Sequence, residues 1–296
     1  MSIKQELIKK IQDKTLTMGV CGLGYVGLPL AVDKAKHGFK TIGFDVQKQK
    51  VDMVNAGQNY IGDVVDADLK ELVEAGMLKA TSDFSFVGEV DFIAICVPTP
   101  LDAHQQPDIS YVKNSAIEIA KYLKRGSMVV LESTTYPGTT EELLLPILEQ
   151  GSGLKCGEDF YLGFSPERVD PGNLIYKTSN TPKVVGAVGK DAAEVISMVY
   201  SAILDSDVHT VSCPAVAEME KHGLLSKLCG PDNQYRALLR LTERGRHAAE
   251  YVCRKAVSAV QIAAQEIDDE TRTIMYRCLR SVSSHVQMIC KEGLPD

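Results

Sequence analysis

Residues 19–31 read GVCGLGYVGLPLA, and no other stretch constrains the fold as much. Three glycines spaced G-x-G-x-x-G follow the apolar run TLTMGVC (15–21) and open a helical pattern over about 25–37. In that context each glycine has its own task. Gly22 allows a tight turn, Gly24 lets the backbone approach a pyrophosphate, and Gly27 lets the helix pack on the strand. With Leu23, Tyr25 and Val26 between them they form a candidate cofactor-binding loop. Asp45 ends the next apolar run, 23 residues after Gly22, where a carboxylate binds ribose hydroxyls. Its charge repels a 2′-phosphate, so NAD is expected rather than NADP. Lys50, one helical turn later, is a candidate for the adenosine side, with a solvated surface lysine as the alternative.

The pattern continues well beyond this motif. Strand-like runs at 15–21, 40–45, 78–81, 91–97, 127–131, 159–164, 182–186 and 207–211 alternate with helical patterns at about 25–37, 47–56, 66–75, 109–124, 139–149 and 190–203. Near-continuous apolar strands separated by helices imply a parallel sheet covered on both faces, the doubly wound α/β class. Ligands of such folds bind at the carboxyl ends of the strands. The segments VPTPLD (97–102) and ESTTYPGTT (132–140) fall there, which makes Pro98, Thr99 and Thr134 site candidates. A plainer role, ending strands and capping the next helices, competes with this reading, and Thr139 or Thr140 is expected to cap the helix that follows.

Composition excludes several classes. A formal charge of −7 argues against a nucleic-acid surface, which needs clustered Lys and Arg. The N-terminus MSIKQELIKKIQDK has no apolar core of a signal peptide and no run approaches 18 apolar residues, so a cytoplasmic location without a membrane span is expected. The eight cysteines include no C-x-x-C pair and no tight Cys/His cluster, so no metal site is expected and free thiols are the simplest account. Cys21 and Cys96 lie in strand-like runs and read as buried, inert core residues. The six scattered histidines suggest no role.

The chain changes character near residue 221. Residues 1–220 hold 18 Lys and 2 Arg against 30 acidic residues, a charge of −10, whereas residues 221–296 hold 4 Lys and 8 Arg against 9, a charge of +3. Such asymmetry marks distinct modules, here 1–220 and 221–296. The second reads as helical, with one helix beginning near Pro214, a longer one over roughly 234–266, and a third from Asp268 or Asp269 to Gly293, forming a hairpin or small bundle.

The segments GLGYVGLPLA, GFDV, VPTPL, PDISYV, STTYPGTTEE, GFSPERVDPGN, PKVVG and PAVAEMEK together resemble, in order over residues 15–221, the nucleotide-sugar 6-dehydrogenases, the UDP-glucose and GDP-mannose dehydrogenase family. FSPERVDPGN is similar to the branch acting on UDP-N-acetylhexosamines. The resemblance implies oxidation of a sugar C6 alcohol to a carboxylate in two NAD-dependent steps, through an aldehyde and a cysteine-bound thioester. It implies that Thr134 helps to hold the catalytic water, that Glu167 works with that water as acid or base, and that Lys221 steadies oxyanion charge. For Glu167 the competing role is a surface ion pair with Arg168 or a nearby lysine, and for Lys221 a solvated helix lysine.

The resemblance ends at Lys221. The family places an Asn one turn on, where this chain has Leu225, and later a nucleophilic cysteine in a G-G-x-C type loop and a second α/β domain that grips the nucleotide sugar. Neither is found in this sequence. Residues 1–220 are therefore expected to bind NAD, with a UDP-sugar implied by resemblance alone, and to be catalytically incomplete. The alternative is a binding or scaffold module, natural or engineered, with a vestigial NAD site, whose helical tail docks a partner or a second copy.

Overall fold

The structure, a computed structural model, describes residues 2–101, 107–167, 181–228 and 238–263. Eight strands, β1 (Met18–Cys21), β2 (Thr41–Phe44), β3 (Leu78–Thr81), β4 (Phe92–Ile95), β5 (Met128–Leu131), β6 (Tyr161–Phe164), β7 (Lys183–Ala187) and β8 (Val208–Val211), form one sheet in the order β3-β2-β1-β4-β5-β6-β7-β8. These are the eight runs expected from sequence. Every residue of β1, β2, β4, β5 and β6 is buried, which is why their apolar character is continuous rather than alternating. Successive side chains still part to opposite faces. Met18, Val20, Phe92, Ala94, Met128 and Val130 enter one core, and Ile93, Ile95, Val129 and Leu131 the other.

Helices α1 (Ile3–Gln12), α2 (Gly27–Lys36), α3 (Lys48–Asn55), α4 (Asp66–Glu74), α5 (Ser110–Ala120), α6 (Leu145–Ser152), α7 (Lys190–Ser201) and α8 (Pro214–Lys221) cover the two faces. The first core is closed by α1 to α4 and α7, through residues such as Leu7, Leu28, Val54, Leu69 and Val199. Val112, Ile119 and Leu148 of α5 and α6 close the second.

Four expectations need correction. The sheet is not wholly parallel, because β7 runs antiparallel to β6 before β8 returns parallel to β7. Helix α1 is unanticipated: Ser2 and Gln5 form a reciprocal capping box, and Leu7 and Ile11 are buried. The helix expected over 139–149 starts as a π-helical turn, Thr139–Leu144, and neither threonine caps it. Instead the Glu218 carboxylate, buried on α8, accepts from the Gly138 and Thr140 N–H groups and from the Thr140 hydroxyl at 2.7 Å. Lastly, the segment after Lys221 is not all helical. Strands β9 (Leu225–Leu228) and β10 (Leu238–Leu241) pair before α9 (Glu243–Ala263) begins, since runs such as LLSKL and ALLRL suit either structure and pairing decides between them. The helix expected over 268–293 lies outside the described residues. By compactness the chain divides into Met1–Arg240 and Leu241–Asp296. No described helix is long and apolar enough to cross a membrane.

One core residue is out of keeping with its surroundings. Lys34 of α2 is fully buried, its Nζ makes no hydrogen bond among the described residues, and it lies 4.7 Å from the Phe92 ring centre and 5.4 Å from that of Tyr200. Burial lowers its pKa to about 8. Below that pH the folded chain carries a desolvated ammonium at a cost of about 3 kcal/mol, partly offset by the rings. Lys34→Met should therefore raise the unfolding free energy at pH 7 by about 1–3 kcal/mol. Between pH 8 and the ordinary lysine value the unfolded chain still binds a proton that the folded chain has lost, so the gap between the two proteins should close. Urea titrations at pH 7, 9 and 10.5 read both effects.

Candidate functional site

Strand order reverses between β1 and β4, and a cavity of about 550 Å³ opens at the carboxyl ends of these strands. The glycine loop forms one wall. Gly22 has φ +94°, and a Cβ there would come within 2.7 Å of the Cys96 carbonyl oxygen. At Gly27 a Cβ would lie 1.8 Å from the Gly22 carbonyl oxygen, so only glycine lets α2 start against the turn. At Gly24 a Cβ would meet nothing within 4 Å. That open approach to backbone is the cradle a diphosphate needs.

Of the expected cofactor residues, Gly22, Gly24, Tyr25, Val26, Asp45, Lys50, Pro98, Thr99 and Thr134 line the cavity. Leu23 and Gly27 shape the loop from behind. The Leu23 side chain is fully buried and its N–H donates to Asp45 Oδ2 at 2.9 Å. Asp45 Oδ1 accepts from the Gln47 N–H at 2.9 Å, and Lys50 Nζ stands 3.7 Å from Oδ2. Asp45 thus ties the turn after β1 to the end of β2 while remaining in the cavity wall. Tyr60 and Ile61, beyond α3, also line the cavity, and the Tyr60 hydroxyl donates to the Leu23 carbonyl at 2.8 Å. They belong to none of the motifs, and no local pattern marks them.

The opposite wall comes from the ends of β4, β5 and β6. Ser133 donates to the Val97 carbonyl at 2.8 Å, locking Thr134 beside Pro98 and Thr99. Glu167 lines the same cavity and is buried, not a surface residue, and among the described residues it forms an ion pair with Lys183, 3.3 Å from Oε2. Arg168 lies outside the described residues. Lys221 does not line the cavity. Its Nζ donates to the main-chain carbonyl of Glu167, and the neighbouring His222 ring donates to the carbonyl of Thr135. With Glu218 at the Gly138 turn, α8 grips both loops that carry site candidates.

Sequence reasoning missed the charges behind this wall. Glu132 is fully buried yet reaches the cavity; its carboxylate accepts from Lys183, also buried, and from the Tyr200 hydroxyl at 2.7 Å. Burial alone would depress Lys183, but Glu132 and Glu167 outweigh it and raise its pKa, so it remains an ammonium. Burial also pushes Tyr200 well up, keeping it a donor, and raises Cys96, which lines the cavity as an inert thiol. Cys21 is likewise pushed up to about 12. A charged residue at one end of each of two otherwise apolar runs, after MVVL and before VVGA, was the available signal.

A glycine turn at a topological switch point, a carboxylate at the end of β2 and polar groups across the cavity define a dinucleotide-binding α/β domain. The chain belongs to the UDP-glucose/GDP-mannose dehydrogenase family, matching that family's NAD binding domain over residues 16–204. It is 38% identical over 208 residues to the UDP-N-acetyl-D-glucosamine 6-dehydrogenase of Pseudomonas aeruginosa, covering 70% of this chain and 48% of that protein. It is 33% identical over 207 residues to the UDP-N-acetyl-D-mannosamine dehydrogenase of Pyrococcus horikoshii, covering 70% and 49%. The solved NDP-N-acetyl-D-galactosaminuronic acid dehydrogenase of Methanosarcina mazei superposes with a TM-score of 0.68 at 34% identity, over 75% of this chain and 49% of that one. This chain spans about half the length of the curated relatives it matches.

The open space at Gly24 separates ligand effects from folding effects. Gly24→Val should leave the urea midpoint close to that of the parent, since a Cβ there meets nothing within 4 Å, yet weaken NAD at least tenfold, about 1.4 kcal/mol, by filling the diphosphate approach. Calorimetric titration of both proteins gives the comparison.

Proposed function

We propose that residues 1–220 are the cofactor half of a UDP-N-acetylhexosamine 6-dehydrogenase, which binds NAD but does not complete the oxidation in this chain alone. The observation that carries the reading is the convergence of Thr134 and Glu167 on the cavity wall facing the glycine loop, with Lys221 hydrogen-bonded to Glu167 from α8. The loop from Gly22 to Gly27 would hold the diphosphate, Asp45 the adenosine ribose, and Pro98 and Thr99 the approach toward the nicotinamide side. When bound, NAD supplies a hydride acceptor.

The remaining chemistry falls to the chain's own groups. Thr134 offers a hydroxyl able to hold a water, and Glu167 a carboxylate able to take a proton from it. Lys221 brings a fixed cation to the same loop, suited to steadying developing negative charge. The step to a carboxylate also needs a thiolate to trap the aldehyde within about 3–3.5 Å of the carbon attacked. Cys96 does not serve, because burial keeps it a thiol. No G-G-x-C type loop follows Lys221 in this sequence, where Cys229 comes after Leu228 and precedes Gly230. The change from −10 to +3 at residue 221 supports a separate role for residues 221–296, as a contact for a second copy or another protein. The free thiols of Cys21, Cys96, Cys156 and Cys213 fit a cytoplasmic location.

NAD titration tests the first half of the proposal and UDP-N-acetylglucosamine turnover the second. NAD should bind, and Asp45→Asn should weaken it by roughly 1.5–3 kcal/mol while relaxing the exclusion of NADP. No binding would favour the scaffold alternative. Two NADH formed per sugar, lost in Glu167→Ala, would show that the chain is complete after all.

A further inference from the structure

The cavity holds more charge than its proposed chemistry uses. Glu132, at the end of β5, is saturated from behind: the Tyr200 hydroxyl of α7 donates to Oε1 and Lys183 of β7 to Oε2. The same ammonium reaches Glu167 Oε2 at 3.3 Å, so one buried cation serves two carboxylates from different loops. Its stem is fixed as well, since β7 pairs with β6 immediately before the segment carrying Glu167, and the ammonium lies 5.1 Å from the Tyr200 ring centre. Both side chains are buried, and Glu132 and Glu167 line the cavity whereas Lys183 does not, so the ammonium backs the two carboxylates.

An isolated buried ammonium, or two buried carboxylates without one, would be costly, and at this position both are avoided through the sharing. The division is unequal. Glu132 is held by two donors deep in the wall, whereas the Lys183–Glu167 distance is that of a longer, adjustable contact. We propose that Lys183 is the positioning residue for Glu167, its ammonium shared with Glu132 so that the Glu167 carboxylate stays charged and aimed at the cavity.

This rests on the reading of Glu167 as the carboxylate that handles protons. A purely architectural ion pair would tie the loops together without regard to which carboxylate the ammonium favours. A positioning role makes Glu132 and Glu167 competitors for one cation, so removing the cation and removing the competitor must have opposite effects on Glu167. Among the described residues, the other charged or titratable groups facing this cluster are Cys96 at the end of β4, Lys34 of α2, Tyr200 of α7 and Lys221 of α8 on the Glu167 carbonyl. All stay in place in the variants below.

The test is a titration of the Glu167 side-chain carboxyl by carbon-13 NMR on glutamate-labelled full chain, the resonance being assigned by its loss in Glu167→Gln. In Lys183→Met, Glu167 should titrate ~1 unit or more higher than in the parent, having lost its cation. In Glu132→Gln it should titrate lower, because the ammonium then serves Glu167 alone while Gln still accepts from Tyr200. Lys183→Arg should return the value toward the parent. Should Lys183→Met fail to fold, the double variant Lys183→Met/Glu132→Gln, which leaves no unpaired buried charge at position 132, should still titrate above the parent. Shifts of the same sign in Lys183→Met and Glu132→Gln, or no shift in either, would overturn the proposal. Because the measurement needs neither NAD nor turnover, a failed NAD titration would count against the proposed function and leave this result standing.

Discussion

The contact between the Gly22 carbonyl and Gly27 governs the rest of the molecule. A side chain at residue 27 would occupy the space of that oxygen, so α2 can begin against the turn only because none is present. From that start, the helix runs across the sheet and delivers Leu28, Leu30, Ala31 and Ala35 to the first core. It also leaves the loop backbone at Gly24 open to the cavity. One steric condition therefore fixes both how the helix packs and where a diphosphate can approach. The Asp45 carboxylate reinforces it by accepting the Leu23 N–H, which binds the turn after β1 to the end of β2.

Two buried lysines show how differently the same residue type is used once that frame exists. Lys34 lies in the first core against aromatic faces, with no ion pair among the described residues, and burial depresses it. Lys183, equally inaccessible, stands between two carboxylates and is raised despite the same desolvation. The difference is partnership rather than depth. It separates a position where charge opposes folding from one where charge organises the cavity wall.

What could be read from the sequence follows the range of the physics involved. Strands and their flanking loops were legible because burial on both faces writes a continuous apolar run, and Gly22, Asp45 and Thr134 were found because each sits a fixed step from such a run. The reversal of β7 was not, since strand direction depends on the connection and leaves no local trace. Helix α1 was hidden by its lysines, although Ser2 and Gln5 announce its cap. The leucine-rich segments at β9 and β10 carry no period that separates helix from strand. Glu132 and Lys183 are 51 positions apart, and only the folded sheet reveals that one donates to the other. Tyr60 reaches the glycine loop from the far end of α3, again a relation that no local pattern encodes.

Helix α8 carries the consequence furthest. The shift in composition begins at Lys221, its last residue, yet the helix is anchored through its C-terminal half and cap to the loops before it: Glu218 on the Gly138 turn, Lys221 on the Glu167 carbonyl and His222 on the Thr135 carbonyl. Each of these contacts joins α8 to a loop that precedes it in the chain. The buried Glu218 carboxylate is especially constraining, since moving it would strand three donors at once in a low-dielectric setting. The described contacts that hold Glu167 and Lys221 beside the Thr134 loop therefore run from α8 back to loops earlier in the chain. The wall that carries the site candidates is built by reciprocal use of side-chain carboxylate and cation on one helix and main-chain groups on two loops.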